Sequence, residues 1–418
     1  MLPRIIAIVF IFIVATIAWT VLGATIMSRT YDSSASSSSK VESTWGTEQD
    51  QAPPVAYFKT PVTTKQEVME NGVKVVKTLT EYVSTSLPLE GTRIDVNLDL
   101  GHRQKGLLWY STYKVDFMGH YTFQNTSDKE QAVQFDLKFP TTQAIYDNLT
   151  FMVDGNPVAI TTLENAASSV VKIGGGKSAL LTVGYRSQGL NEWRYSFGKN
   201  DVSQVRDFTL NMTTNFQDID FPENTLSPSQ KTQTGNGWNL TWSYKNLLSG
   251  YQIAMEMPEK LQPGPLAGRI SFFAPVSLFF FFFLMLIITT MRGIDLHPMN
   301  YFFLAAAFFS FHLLLAYLVD HISIHASFAV AAAVSIFLVV SYLRLVVGIR
   351  FASREAALAQ FIYLVMFSYA FFLKGFTGLA ITIGSVLTLF VVMQVTGRVQ
   401  WAEKFRIKPV RETADELT

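Results

Sequence analysis

The chain divides by the texture of its apolar and polar positions. Its last third is a series of apolar runs with very short polar breaks: Ser271–Thr290, Met299–Leu318, Ala326–Val347, Ala356–Leu373 and Phe376–Thr396. Each is about as long as a helix must be to cross roughly 30 Å of hydrocarbon. In lipid, only elements that satisfy their own backbone hydrogen bonds survive. The spacing therefore predicts a five-helix transmembrane bundle over 271–396. A sixth uncharged run, Ile5–Ser28, follows one early positive charge, Arg4. At about 24 residues it exceeds the core of a secretion signal, and its small-residue cleavage site is poor. It reads as an uncleaved first span, residues 1–28, with a cleaved signal peptide as the alternative.

Between these membrane segments the period changes from helical to two. Lys74–Leu79, Thr92–Leu100, Leu107–Phe117, Gln131–Phe139, Leu149–Val153, Ala179–Tyr185, Phe208–Thr214, Gly237–Tyr244 and Tyr251–Met257 read as strands. Turn residues separate them, at Asp154–Pro157, Gly174–Gly176, Phe197–Asn200 and Thr234–Gly237. Short strands with Gly/Asn turns over 55–260 predict a large, mainly antiparallel, sandwich-like β domain. Residues 29–54 are Ser-rich and close on Pro53–Pro54. Lacking apolar residues to pack, the serines predict a flexible linker, with a short surface helix in Lys40–Gln51 as a variant. Leu261–Gly268 reads as a connector, and 397–418 as a polar cytoplasmic tail with an interface-like Trp401.

Composition narrows the function. Of 418 residues, 49% are hydrophobic and only 16% charged, against about 25% charged in soluble domains. A net charge of +1 gives no reason to expect a nucleic-acid partner. The absence of cysteine removes disulfides, thiolate nucleophiles and thiolate metal sites. No GxSxG, HExxH, GxxxxGK[ST] or dinucleotide fingerprint is present. Four tripeptides, beginning at Asn125, Asn148, Asn211 and Asn239, match the N-glycosylation pattern, but such matches arise readily by chance.

The Lys/Arg distribution sets an orientation. With Arg4 cytoplasmic, residues 29–269 are exported. The breaks carrying Arg292, then Arg350 and Arg354, and the tail with Arg398, Lys404 and Arg406, fall inside. VDHISIH (Val319–His325) falls outside without a Lys or Arg. Lys374 alone disagrees, and one long side chain can snorkel. Both termini are expected in the cytoplasm of a multi-pass bacterial inner-membrane protein.

Polar groups inside lipid are costly and so are candidates for function. His312 lies deepest; Ser310, Tyr317, Ser341, Gln360, Ser368, Tyr369, Thr388 and Gln394 are milder. A proton-relay or substrate role for His312 competes with a plain interhelical hydrogen bond. No Asp or Glu sits at mid-depth in any run, which argues against an ordinary proton-coupled transporter. Asp320, His321 and His325 cluster at the outer ends of two helices, yet their spacing is unspecific for zinc, so no metal, cofactor or catalytic residue is assigned. His297 before Pro298 is a good helix start, with Asn300 one turn further on. Small residues at Ala305–Ala307, Ala329–Ala333, Gly378, Gly384 and Ser385 permit close helix packing.

Leu296–Ile324, LHPMNYFFLAAAFFSFHLLLAYLVDHISI, resembles the signature region of the CreD family of bacterial inner-membrane proteins. That family opens LHPxQY and continues YLLLLxLSEH. Leu296, His297, Pro298, Met299 and Tyr301 fit the opening, with Asn300 in place of Gln. Leu313–Leu315 follow its leucine run and His321 its final His, while Val319 and Asp320 stand for Ser and Glu. Thr396, Arg398 and Trp401 parallel a closing TRxxDW, with Gly397 intruding and Gln400 replacing Asp. Gly101–Phe123 is similar to a family segment RxxGIYxxxVYxxxxxxxGxF. Trp45 and Gln49 precede Ala52-Pro53-Pro54 where the family has a polar helix before a Gly-Pro step.

The resemblance implies a role in envelope integrity and tolerance of envelope-directed antibiotics and colicins, under two-component regulation. It brings no activity or cofactor. The expectation is a non-enzymatic membrane protein whose exported domain binds an envelope protein, a cell-wall fragment or a lipid ligand, with membrane lipids around the bundle. A transporter or lipid-handling protein with a polar cavity near His312, Tyr317 and Ser368 is the alternative. Sequence does not set the oligomeric state.

Overall fold

The computed structural model describes residues 2–70, 73–106, 108–163, 165–198 and 203–397. Two compact units emerge. One is built mainly from Met1–Ala35 and Leu261 onward, the other from Ser36–Lys105 and Trp109–Lys260. The expected turn residues Lys199 and Asn200, and the tail from Arg398 with Trp401, lie outside the described residues.

Among the described residues six helices are long and apolar enough to cross a membrane: α1 (Leu2–Trp45), whose residues from Ser36 belong to the second unit, and, in the first unit, α2 (Pro263–Arg292), α3 (Pro298–Leu318), α4 (Ile324–Val346), α5 (Ile349–Phe372) and α6 (Thr377–Thr396). Their starts follow local chemistry. His297 Nδ1 accepts from the Met299 N–H at 3.2 Å with Pro298 in the first turn, and Ser323 accepts from the Ala326 N–H. Helix α2 starts at Pro263, inside the stretch expected to be a connector, because proline in the first turn opens a helix as readily as it breaks one. Helix α5 is not uniform: Ala352–Ala356 and Phe361–Met366 are π-helical.

The linker expected over 29–54 is corrected. Helix α1 runs through the serines to Trp45 and stops at Gly46, whose φ of 107° is closed to other residues. A side chain there would also meet the Gln188 carbonyl at 2.6 Å. Neither Gly nor Pro interrupts residues 24–45, and serine is only mildly unfavourable in helices. Side chains one turn apart support the segment, Ser28 bonding Asp32 at 3.0 Å and Ser38 bonding Glu42 at 2.7 Å.

The second unit contains β1 (Gln49–Gln51), β2 (Val55–Glu70), β3 (Val73–Ser86), β4 (Leu89–Lys105), β5 (Leu108–Gln124), β6 (Gln131–Lys138), β7 (Asp147–Val153) and β8 (Asn156–Pro157). Then follow β9 (Thr161–Leu163), β10 (Ala166–Ile173), β11 (Ser178–Leu190), β12 (Glu192–Tyr195), β13 (Ser203–Thr214), β14 (Gln230–Thr234), β15 (Gly237–Ser249) and β16 (Ile253–Glu256). They form sheets ordered β14-β15-β13-β4-β5-β11-β7-β8, β3-β2-β6-β10-β9 and β1-β12-β16. Pairing is mainly antiparallel, with β4–β13 and β1–β12 parallel. Alternate residues of all three sheets, among them Phe117, Phe135, Trp193 and Trp242, are buried in one core. Phe123 of β5 meets Phe135 of β6 edge-on at 5.7 Å, joining two of the sheets.

The glycine run closes the turn from β10 to β11. A side chain at Gly175 would strike the Asp128 carbonyl carbon at 2.4 Å. The neighbouring Asn125 is fully buried, and its amide donates to the Lys129, Ile173 and Gly174 carbonyls at 3.0–3.1 Å. That asparagine is a turn clamp, not a glycan acceptor.

Candidate functional site

The polar residues singled out in the helices fall into separate settings. His312 is 1% exposed; its Nδ1–H donates to the Phe308 carbonyl at 3.1 Å, and Nε2 has no partner among the described residues. Its ring stands edge-on to Trp19 at 5.5 Å and to Phe311 at 4.9 Å. The surroundings are largely aromatic, with Phe309 also edge-on to Trp19 at 5.6 Å. Tyr317 is half exposed, with the Arg29 guanidinium over its ring at 5.3 Å. Asp320 pairs with the same arginine at 2.9 Å. His321 is exposed, and exposed His325 lies against Phe372 at 5.2 Å. His297 is the α3 cap, and Asn300 accepts from the Tyr342 hydroxyl at 2.7 Å. Ser368 is buried in α5, while neighbouring Tyr369 stacks on Phe372. Thus Tyr317 and Asp320 share a partner, whereas His312 and Ser368 do not join them. Among the described residues, no group of three or more His, Asp or Glu could hold a metal ion.

Sequence reasoning missed the device that unites these ends. Arg4 pairs with Asp295 at 2.6 Å and Arg29 with Asp320 at 2.9 Å. Both pairs are separated by 291 residues. Helix α1 and the segment 295–320, which carries α3 between its two aspartates, therefore run parallel, clipped at two points 25 residues apart in each. Along α1 the helical rise makes this roughly 37 Å, between the hydrocarbon thickness and the full bilayer. Trp19 and His312 meet between the clips. A second polar contact passes through α5, where Gln360 donates to Ser335 at 2.8 Å and Ser335 to the Ala307 carbonyl at 2.6 Å. Ser277 donates to the Tyr363 carbonyl within a π-helical stretch. Local loosening of the helical bonding leaves carbonyls open to such partners.

The β unit carries the more suggestive surface. Strands β4, β5, β11 and β7 are neighbours, and the register sets Arg186 of β11 opposite both Asp116 of β5 and Asp147 of β7. Opposed residues share a face, so one arginine stands between two carboxylates; its Nε donates to Asp116 at 2.9 Å. With Asp99, Lys114 and Gln188 these groups line a cleft of about 400 Å³. A second hollow of about 520 Å³ adjoins it, lined by Glu42, Trp45 and Gln143 and sharing Ile145 and Gln188.

Ile145, 67% exposed, is the ridge between the two hollows. Its loop is held from below. The Tyr146 hydroxyl donates to the Thr141 carbonyl at 2.8 Å and accepts from the Thr141 N–H at 3.0 Å. The ring stacks on Phe139 at 4.5 Å, and burial pushes the phenol up to about 12 despite the Thr141 bond, which lowers it. Thr47 and Thr141 hydroxyls meet at 2.8 Å, and buried Gln49 donates to Ser187 and to the Gln188 carbonyl at 2.8 and 3.0 Å. The buried Gln49 amide thus ties down Ser187 and Gln188 of the cleft wall. Sequence reading singled out none of these charges: the strand read at Ala179–Tyr185 stops short of Arg186, and the cross-strand meeting depends on register.

The family model described as inner membrane protein CreD matches residues 1–178 and 266–402. Those segments hold the first helix, the Arg186 cleft's β4 and β5 walls, and the α3 signature. The chain belongs to the CreD family. As a member of that family with several membrane-crossing helices, it is a multi-pass inner-membrane protein. No curated protein matches it. Among solved structures it is similar to a Legionella pneumophila protein described as nutrient-binding, at 10% identity and a TM-score of 0.31, over 56% of this chain and 75% of that one. It is also similar to a mutant M1 zinc metallopeptidase from Deinococcus radiodurans bound to a peptide substrate, at 10% identity and 0.25, over 73% and 90%. A further structure of that peptidase gives 10% and 0.24, over 40% of this chain and 42% of that one, less than half its length. Scores this low assign no function to the CreD-family chain.

Proposed function

We propose that the CreD-family chain is a non-enzymatic envelope-integrity protein whose β unit is exported and holds a polar envelope component in the Arg186 cleft, while the apolar helices anchor it. One observation carries this reading: one hollow presents both signs of charge, with Arg186 and Lys114 beside Asp99, Asp116 and Asp147. Such a lining complements a ligand that carries amines and carboxylates together, as cell-wall peptide fragments do. Affinity in such sites comes from charge-assisted hydrogen bonds. Six spans, with both termini cytoplasmic and residues 29–269 outside, follow from the Lys/Arg bias of the short breaks. A sandwich-like packing of the sheets is part of the same reading, supported by their common core.

The test is calorimetric titration of full-length protein in lipid nanodiscs with a soluble cell-wall tetrapeptide fragment. Saturable binding, weakened at least tenfold (about 1.4 kcal/mol) by Arg186→Ala and unchanged by Lys231→Ala away from the cleft, is expected. Binding that ignores Arg186, or none at all, sinks the proposal. The transporter alternative needed a polar cavity at His312, Tyr317 and Ser368, and no observation on those three favours it.

A further inference from the structure

Among the described residues the three sheets end on six edge strands. Five of them, β1, β8, β9, β14 and β16, have two to five residues each. The sixth, β3, has 14. Shortness is one device by which edges avoid pairing with other chains; β3 lacks it, and no proline or shift of register interrupts it. Its neighbour β2 is paired with β6 over Val55–Phe58. From Lys59 to Glu70 the described residues form a ribbon of two strands. Such a ribbon is marginal in water, and further strands stabilise it. Residues 78–86 of β3 are exposed, with Leu79 at 44% and Tyr82 at 68%.

We propose that β3 pairs antiparallel with β3 of a second copy of this chain, over residues 73–85 of each, on a two-fold axis at Leu79. The charges along the strand select this occupant and this register. A two-fold axis normal to a sheet joins two edge strands antiparallel with like faces together. Because side chains alternate between faces, that axis passes through a residue. At Leu79 it sets Lys77 of each copy opposite Glu81 of the other, Thr78 opposite Thr80, and Val75 opposite Val83. Moved by one residue it sets Val75 or Leu79 against Glu81; moved by two, lysine against lysine or glutamate against glutamate. Opposed unlike charges stabilise a strand pair, and like charges destabilise it. A lysine can also shield an edge, but at 77 the glutamate of the other copy neutralises it. Leu79 and the exposed Val62 of β2 share the face that Phe58 turns into the core, so the pairing extends an apolar face as well as the ladder. The Arg186 cleft lies on other strands, and this proposal stands or falls separately from it.

The chain has no cysteine, so single cysteines report the register. Full-length Leu79→Cys in lipid vesicles should form a disulfide-linked dimer on mild oxidation, since opposed residues bring their Cβ atoms to about 4.5–5.5 Å. In Val83→Cys the two cysteines lie about 27 Å apart along the strands, and cross-linking should be at least tenfold less. Charge reversal tests the choice of partner. In mild detergent, native mass spectrometry should show dimerisation weakened at least tenfold by Lys77→Glu and by Glu81→Lys, with the β signal in circular dichroism unchanged. An equimolar mixture of these two variants should form a heterodimer, because both opposed pairs are then unlike. Monomers of the unaltered protein, equal cross-linking at both positions, dimers indifferent to charge reversal, or a mixture that stays monomeric overturns the proposal.

Discussion

Alkaline pH should unfold the β unit through its buried phenols. Tyr113, Tyr121, Tyr185 and Tyr195 are each no more than 2% exposed. Burial, the largest cause in every case, raises their phenols above the ordinary value, because a phenolate cannot be solvated among Phe117, Trp193 and their neighbours. In the unfolded chain the same groups titrate near pH 10. Below that pH both states hold the protons and stability is unaffected. Above it the unfolded state releases them while the folded state does not, so stability falls as pH rises. Each group costs about 1.4 kcal/mol per pH unit, and four together roughly 5 kcal/mol per unit. A net stability of about 5–15 kcal/mol is then exhausted within roughly one to three units above pH 10. The assay is far-ultraviolet circular dichroism of the full chain in nanodiscs, followed against pH together with phenolate absorbance. The buried phenols should ionise only as the β signal is lost, and Tyr121→Phe should reduce the slope by roughly a fifth, Tyr146 adding to the four up to about pH 12. Phenolate formation at every tyrosine near pH 10 with the sheets intact would refute the argument.

Other consequences are smaller but direct. Asn125→Ala strands three carbonyls around the β10–β11 turn and should cost about 3 kcal/mol, read as a lowered denaturant midpoint of the β signal. His312→Leu removes a buried ring nitrogen without a partner among the described residues; stability should change by less than about 1.5 kcal/mol, and under the proposed envelope role tolerance in cells should persist, whereas loss of tolerance without loss of folding would reinstate a functional histidine. Arg29→Asp should weaken detergent resistance of the bundle, and Asp320→Arg in the same chain should restore it, with a coupling of about 0.2–1 kcal/mol in a double-mutant cycle.

How much of this was legible in the sequence depends on the range of the physics. Transfer of apolar side chains into hydrocarbon is a sum over neighbouring residues, so Ser271–Thr290 and its companions declare themselves as helices whatever surrounds them. Alternation does the same for Leu108–Gln124, where one face is buried and the other wet. The α3 start at His297–Pro298 is likewise local. Local signals failed where local energies are nearly balanced. The serine run is polar enough to stay unfolded, and it lacks a breaker, so it continues as helix to Gly46. The π-helical stretches of α5 differ from α-helix by one residue in their hydrogen bonding and leave no compositional mark.

The sequence alone determined that this is a multi-span membrane protein with a strand-rich domain, because burial in lipid and pleat alternation are properties of short windows. Only the tertiary structure decided which polar groups meet. Arg4 finds Asp295 and Arg29 finds Asp320 across 291 residues, Arg186 stands between Asp116 and Asp147 by strand register, and Gln49 and Gln51 are drawn into the β core. Hydrogen bonds need contact distances and exposed charges are screened beyond about 10 Å, so a pairing between distant segments becomes visible once the chain has brought them together.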